Sequence, residues 1–556
     1  MAVDVPFITK FRYERLLSVR RTYEPLWQEL ADYLLPRKNE ITSITTKGQK
    51  RTTKVFDSTG EDAARLLASS LHGHLTSAAS RWFKLLVRQA ELNELDEVQD
   101  WQDLCADRMY KAKEQGNFNQ EFDEAYQDLV VFGTAAVLLE ERETRAPGFG
   151  GLLYRALPIG SYVVDENAEG RVDTLFRTFD MSARALVRRF GLAKVGRRIA
   201  EAYTGQEMDR LFTVLHGVYP REDARPRKNP RARELPWASC YIDLEGQHLI
   251  LESGVHEFPY LVPRWSKASG EMYGRGPGHT ALPDVRTLNR YKELHLQALG
   301  KVVNPSILAK DDGVIGSIKL TPGGVTIVRD MEALKPFESG ARFDIGGVEV
   351  EKMQRAIRRI FFSDLTSYPP LTDSERVTAT EILDRRQTTE TLLSPMLGRL
   401  QAELLNADIE RTFGLMLRGG AVPPPPPALL QAQTDLDIEY QGPLARAQRL
   451  GDVAAMDRLY EFALRTAELM PTLLDNIDSD EAFRYRAEVL GVPAKVLLAS
   501  DRVKKVRDDR RKVQDQAAEE DRLLAASEGV KNVAPALKAL PELGGMLGGQ
   551  NGQGVA

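Results

Sequence analysis

ALPDVRTLNRYKELHLQALGK, residues 281–301, and VEVEKMQRAIRRIFFSDL, residues 348–365, decide the fold. In the first, Leu282, Val285, Leu288, Leu296 and Leu299 fall on one face, within about 120° of arc at about 100° per residue. In the second, Val350, Met353, Ile357, Ile360 and Phe361 line one side, while Lys352, Arg355 and Arg359 line the other. Each reads as an amphipathic helix of about 20 residues, roughly 30 Å long. Residues 302–345 between them carry Gly, Pro and short β-like runs such as NPSILA and LTPGGVTIV. Two helices joined by a small β insert predict a hairpin-like projection from a larger body.

After the second helix, TSYPPLTDSE (366–375) is kept out of helix by Pro369-Pro370. Thr372 and Glu375 have capping-box spacing for the helix that follows. That helix reads as 375–420 and would span roughly 65 Å unbroken. Pro395 predicts a kink midway, because it removes a ladder donor and crowds the preceding turn. Gly419-Gly420 and the prolines at 423–427 end it. DLDIEYQ (435–441) alternates as a strand, and helices resume at 443–469 and 479–490. A mixed-charge helix fits 493–526, and the tail 541–556 reads as disordered.

Toward the N-terminus the chain is first helical, then β-rich. Residues 9–35 read as helix with Pro25 interrupting; Asp57 or Ser58 caps a helix to about Leu75; two more fit 95–115 and 118–132, divided at Gly116. TAAVLLEER (134–142), LLYRALP (152–158), SYVVDEN (161–167), VDTLFRTF (172–179), LFTVLHGVY (211–219), ASCYIDLE (238–245), HLILE (248–252) and YLVPRW (260–265) read as strands, with two short helices over 182–204. The fold class is α+β, predominantly helical.

The chemistry is spare. A net charge of −5 over 556 residues is not that of a protein that wraps duplex DNA by phosphate contacts, although a pore that DNA slides through is compatible with it. Two distant cysteines, Cys105 and Cys240, exclude a disulfide framework and a cysteine zinc site. The first residues have no apolar core of a secretory leader, and no 18-residue apolar run predicts a membrane span. The P-loop motif Gly-x-x-x-x-Gly-Lys-Ser/Thr does not occur; YGRGPG (273–278) lacks its Lys-Ser/Thr end and reads as a turn into the following helix. His72 and His74, two apart on a helix, point to opposite faces and cannot share a metal. His256-Glu257 has no second histidine, and the carboxylates of DNIDSDE (475–481) read as helix caps, not calcium ligands. No catalytic residues, cofactor or metal are expected.

Several segments resemble the portal, or head-to-tail connector, proteins of short-tailed double-stranded DNA phages. They are MYGRGPGHTALPDVRTLN (272–289), ERVTATEILDRRQTTETLLSPMLGRLQAELL (375–405), EYQGPLARAQR (439–449) and FRYRAEVLGVPAKVL (483–497), with AARLLASSLHGHLTSAASRWFKL (63–85) and DLVVFGTAAVLLEE (128–141) earlier. The resemblance implies a homo-oligomeric ring, typically of twelve subunits, at one capsid vertex of the virion, assembled in the host cytoplasm. It implies double-stranded DNA passing through the channel, terminase motor and tail adaptor proteins at a clip, and capsid and scaffold proteins at a wing. It maps 1–280 and 421–490 to wing, 281–301 and 346–365 to stem, 302–345 to clip, 366–374 to a channel loop and 491–540 to crown. The channel-loop positions Ser367, Tyr368 and Thr372 would meet DNA by shape and polar contact, since that loop has no Lys or Arg.

Lys352, Arg355 and Arg359 are candidates for basic rings facing DNA, or for pairing with acids of a neighbouring subunit such as Glu293. Glu375, Arg376, Glu381, Asp384 and Arg385 are candidates for a subunit-interface network, or form a solvated helix face. Two other classes compete with a portal: a packaging-associated DNA-processing enzyme, which needs a Walker motif or an acidic metal site, and a capsid or scaffold protein, which forms shells in place of a ring.

Overall fold

The computed structural model describes residues 5–43, 46, 48–144, 148–222, 231–304, parts of 306–336, 344–363, 396–432, 436–440, 443–467, 477–489, 498 and 502–517. The chain divides into two compact units, residues 1–448 and 449–556.

The first unit opens with α1 (Val5–Arg21) and α2 (Glu24–Leu34). Pro25 stands in the first turn of α2, where its missing N–H costs no ladder bond. The Asp57 carboxylate starts α3 (Thr59–Leu75) by accepting from the Thr59 backbone at 2.9 Å, while the Ser58 hydroxyl donates to Asp62. β1 (Phe83–Val87) follows, a strand that the periodicity does not reveal. α4 (Asp96–Gln115) and α5 (Phe118–Phe132) part at Gly116, as expected. Trp27, Leu30, Leu67, Leu71, Phe122 and Leu129, all buried, knit α2, α3 and α5 into the main core.

β2 (Val137–Glu141), β3 (Leu152–Ala156), β4 (Tyr162–Glu166) and β5 (Val172–Ser182) lead to α6 (Ala183–Phe190) and α7 (Arg197–Thr204). β6 (Leu211–Pro220), β7 (Trp237–Asp243), β8 (His248–Val255) and the short β9 (Tyr260–Leu261) complete the β-rich part. β4 to β8 form one antiparallel sheet in chain order; β3, β2 and β9 form a second. Val163, Phe176, Leu215 and Ile242 face α1, through Tyr13 and Leu16. On the opposite face, Val164, Leu175 and Val218 join the main core, while Phe212, Val214 and Tyr241 join a separate cluster under α6 and α7.

α8 (Pro277–Val303) begins four residues before the expected start and runs through Pro283. Leu282, Val285 and Leu288 are buried as expected, but Leu296 is 54% exposed and Leu299 37%. The helix leaves the body after Asn289, so the distal part of its apolar face is uncovered in a single chain. Between α8 and α9, β10 (Ile307–Ala309) pairs with β13 (Leu334–Pro336), and β11 (Val314–Ile315) with β12 (Ile327–Val328), which matches the β-like insert. α9 (Asp344–Ile360) packs back against α8 and α3, with Ile357 and Phe361 buried. The Asn289 amide oxygen accepts from the backbones of Phe56 and Asp57, and Asp57 accepts from Gln354, so one polar knot ties α8, α9 and the start of α3 together.

The long C-terminal helix is described from Met396; Pro395 and the kink assigned to it lie outside the described residues. Gln401–Leu405 form a π-turn before α10 (Asn406–Arg418). α11 (Pro427–Ala432) starts at the last of the prolines, and β14 (Leu436–Tyr440) pairs antiparallel with β1, Val87 with Leu436 and Phe83 with Tyr440. α12 (Pro443–Ala467) reaches into the second unit. There α13 (Ser479–Val489) is capped by Asp478, whose Oδ1 accepts from the backbones of Asp480 and Glu481 at 3.0 Å. Arg486 pairs with Asp457, and Arg507, on a helix over residues 502–517, with Asp480.

His216, buried on β6, is stacked on Tyr241 with ring centroids 4.0 Å apart, and it shares hydrogen bonds with the Tyr260 and Ser239 hydroxyls. Burial, then Arg177 and Arg189, hold its pKa well below the ordinary histidine range. The folded state therefore resists the proton that the unfolded chain accepts near pH 6.5, and stability falls as pH drops through that value. Asp128 works in the opposite sense: burial pushes its carboxyl up to about 6 despite Lys38, so its contribution improves as pH falls. The informative quantity is thus the difference between wild type and His216→Gln. Between pH 6.5 and 5.5 the wild type is expected to lose about 1 kcal/mol more than the variant in urea unfolding; equal pH dependence in the two proteins would contradict a neutral, buried His216.

Candidate functional site

The face of α9 opposite its buried stripe is basic. Lys352, Arg355 and Arg359 are exposed there, as expected, and Arg358 joins them. Lys352 reaches Glu349 at 2.9 Å, one turn back on its own helix, and Arg355 touches the Glu351 carbonyl at 3.4 Å. Glu293 is held by Arg290, also on its own helix, at 2.7 Å. Such exposed pairs contribute little to stability, which leaves the guanidinium groups available to a further partner. Ser367, Tyr368, Thr372, Glu375, Arg376, Glu381, Asp384 and Arg385 lie outside the described residues.

The helix from Met396 to Arg418 is fastened to the body by charge. Arg264, 0% exposed, binds Glu403 of the π-turn with Nη2 at 2.6 Å and Glu166 of β4 with Nη1 at 2.9 Å, and Lys267 also reaches Glu166. Five residues beyond Glu403, Asp408 pairs with Lys113 of α4 in the core; the Tyr154 hydroxyl donates to Asp408 and the Thr412 hydroxyl accepts from Lys113. Burial holds the Lys113 pKa below the usual lysine value, with Asp408 pulling it back up. The Lys113 ammonium also lies 5.0 Å from the Phe118 ring centre. Three residues on again, Arg411 donates to the Leu139 carbonyl and to Glu257, which Arg418 also binds. Burial lowers the Arg411 pKa to about 10, opposed by Glu257. None of these ties was singled out from the sequence. The available signal is the set of charges at 403, 408 and 411 embedded among Leu404, Leu405, Ile409, Leu415 and Met416.

The glycine-rich YGRGPG segment is a packing device. A Cβ on Gly278 would stand 2.5 Å from the Val131 carbonyl oxygen, and one on Gly276 2.7 Å from that of Val130, so α8 starts directly against the end of α5. His279 accepts from the Gly276 backbone at 3.2 Å; burial, then Arg275, lower its pKa to about 4, which keeps the ring neutral for that role. His72 lies edge-on to Tyr126 and hydrogen-bonds Thr76. Cys105 and Cys240 are buried free thiols, Cys105 pushed up to about 11 by burial. Among the described residues there is no group of three or more His, Cys, Asp or Glu able to hold a metal ion, and no helix is long and apolar enough to cross a membrane.

The site thus consists of a helix pair with one basic face and a body whose long helix is fastened by buried charge. The chain belongs to the family of bacteriophage head to tail connecting proteins, which it matches over residues 9–498. It is 29% identical over 524 residues to the probable portal protein of Bordetella phage BPP-1, covering 92% of each chain. To the portal protein of Salmonella phage epsilon15 it is 28% identical over 530 residues, 94% of each chain. The portal protein of Escherichia phage T7 is 25% identical over 394 residues, 66% of this chain and 67% of that one.

Asp408→Ala is expected to destabilise the protein by about 3–5 kcal/mol in chemical unfolding, because it strands the Lys113 ammonium in the core. Replacing both partners, as Lys113→Met with Asp408→Leu, is expected to recover most of that loss. A single variant as stable as wild type would show that the pair does not fasten the helix.

Proposed function

We propose that the chain is the portal subunit of a phage, assembling a ring at one capsid vertex through which the genome enters and leaves and to which tail proteins attach. The observation that carries this reading is the family match over residues 9–498, joined to relatives called portal proteins that align over nine-tenths of their own length. In this reading α8 and α9 are the stem, the β insert between them is the clip that receives motor and adaptor proteins, and the layers before α8 are the wing. The segment 366–374 is the channel loop, 375–420 the long helix that leads from it, and 491–540 the crown. The ring has about twelve copies, and the protein is not an enzyme.

Electrostatics suit a conduit. Each phosphate contact raises affinity and its salt dependence, and a strongly bound duplex would not slide. At twelve copies a net charge of −5 each gives a ring of roughly −60, which repels DNA except where local basic rings offset it. The exposed row of Lys352, Arg355 and Arg359, with Arg358, supplies such an offset. Glu293, in an exposed pair with Arg290 on its own helix, is the alternative partner for these residues across a subunit contact.

Negative-stain microscopy of the purified protein is expected to give toroids with radial symmetry and a central hole. Closed shells or tubes would indicate a capsid or scaffold protein, and intrinsic ATPase or nuclease activity would overturn the reading. Substituting Lys352, Arg355 and Arg359 together with Gln is expected to leave rings intact and slow DNA packaging in a reconstituted system. Loss of ring assembly would instead assign these residues to contacts between subunits.

A further inference from the structure

The two apolar clusters on one face of the five-stranded sheet do not merge. A row in register across four strands marks their border: Tyr162 of the main core, Arg177, His216 and Tyr241 of the second cluster stand directly opposite one another on β4 to β7. Arg177 is 3% exposed, with its guanidinium carbon 4.7 Å from the Phe179 ring centre and 5.9 Å from that of Tyr260. Its Nε and Nη2 are buried and meet no acceptor among the described residues. One polar neighbour, the Tyr162 hydroxyl opposite Arg177 in register, is likewise buried without a partner among the described residues, and the others are engaged. His216 bonds Tyr260 and Ser239, and the Tyr241 hydroxyl accepts from Arg189.

Charge in this seam is unbalanced. Arg155, Arg177 and Arg189 all act on the Tyr241 hydroxyl, opposed by Glu140, which lies 3.9 Å from Arg189. A desolvated guanidinium without a counter-charge is costly, and one left with two unmade hydrogen bonds more so. A side chain of another molecule cannot reach a group this enclosed.

We propose that this seam is a binding site for one small monovalent inorganic anion, of halide size, held by the Nε–Nη2 edge of Arg177 between the two apolar clusters of the sheet. That edge presents two parallel donors, the geometry by which a guanidinium grips an anion. The aromatic walls select a weakly hydrated single charge over sulfate or phosphate, whose dehydration costs far more. A water molecule would fill the hydrogen bonds and leave the charge unopposed. Bound there, the anion acts as a counter-charge that clamps β5 and β6 to the Tyr241 and Tyr260 rings. The site is independent of the portal reading.

The test is thermal unfolding of the full-length chain in sodium chloride against sodium gluconate, at equal ionic strength and pH 7.5. Chloride is expected to raise the melting temperature in a saturating manner, as a ligand specific to the native state does. Arg177→Leu is expected to melt identically in the two salts. Glu140→Gln, which removes the competing carboxylate, is expected to reach half-saturation at severalfold lower chloride, and it carries the test if Arg177→Leu does not fold. Identical melting of wild type and Glu140→Gln in both salts overturns the proposal in favour of water, and so does a chloride increment retained in full by Arg177→Leu.

Discussion

The rest of the first unit depends on one buried cation. Arg264 sits in the short stretch after β9, fully enclosed, and its guanidinium ends on Glu166 at the end of β4, on the Gly170 carbonyl, and on Glu403 of the π-turn. Three segments distant in the chain therefore share one charge centre. A buried charge tolerates no loose geometry, since each lost partner leaves another group unsolvated. Arg264 thus fixes where the long helix meets the sheets, and the Lys113–Asp408 and Arg411–Glu257 pairs then fix its rotation along about the next two turns. The apolar side chains of the same helix, Leu400, Leu404 and Ile409, add attraction but little discrimination between neighbouring registers.

This division explains what the sequence disclosed and what it withheld. Amphipathic periodicity is local, so α3, α4, α5, α9 and most strands of the large sheet are legible from residue spacing. The face of α9 was read correctly on both sides: Ile357 and Phe361 are buried, and Lys352, Arg355 and Arg359 are exposed. β1 escaped notice because FKLLV is short and its alternation gains meaning only opposite β14, more than 300 residues away. Leu296 and Leu299 continue the apolar stripe of α8, yet nothing in their own chain covers them. Periodicity reports an apolar face without saying whose surface buries it. The charge ties of the long helix were invisible for a related reason: Glu403, Asp408 and Arg411 look like solvated positions until Arg264, Lys113 and Glu257 are placed beside them. Of the candidate site, the basic row on α9 was legible; the polar seam of the sheet was not, because LFTVLHGVY reads equally well as a strand with His216 on either face.

The two kinds of charge in the protein follow opposite rules. Those that fasten the long helix are dehydrated and matched by named partners, so they set geometry. Those on α9 are hydrated and only locally paired, so they leave the geometry of the body untouched.

The π-turn at Gln401–Leu405 has a bearing on how such a chain changes over generations. A π-turn is an α-helix carrying one residue too many. Deleting one residue there would restore regular geometry, but would turn everything before it by about 100° relative to α10. Met396, Leu397 and Leu400, now buried, would swing out of the core, and the Glu403 carboxylate would leave Arg264. The surplus residue is therefore locked in. Loops in general tolerate changes of length, but at this point the count of residues is itself part of the structure.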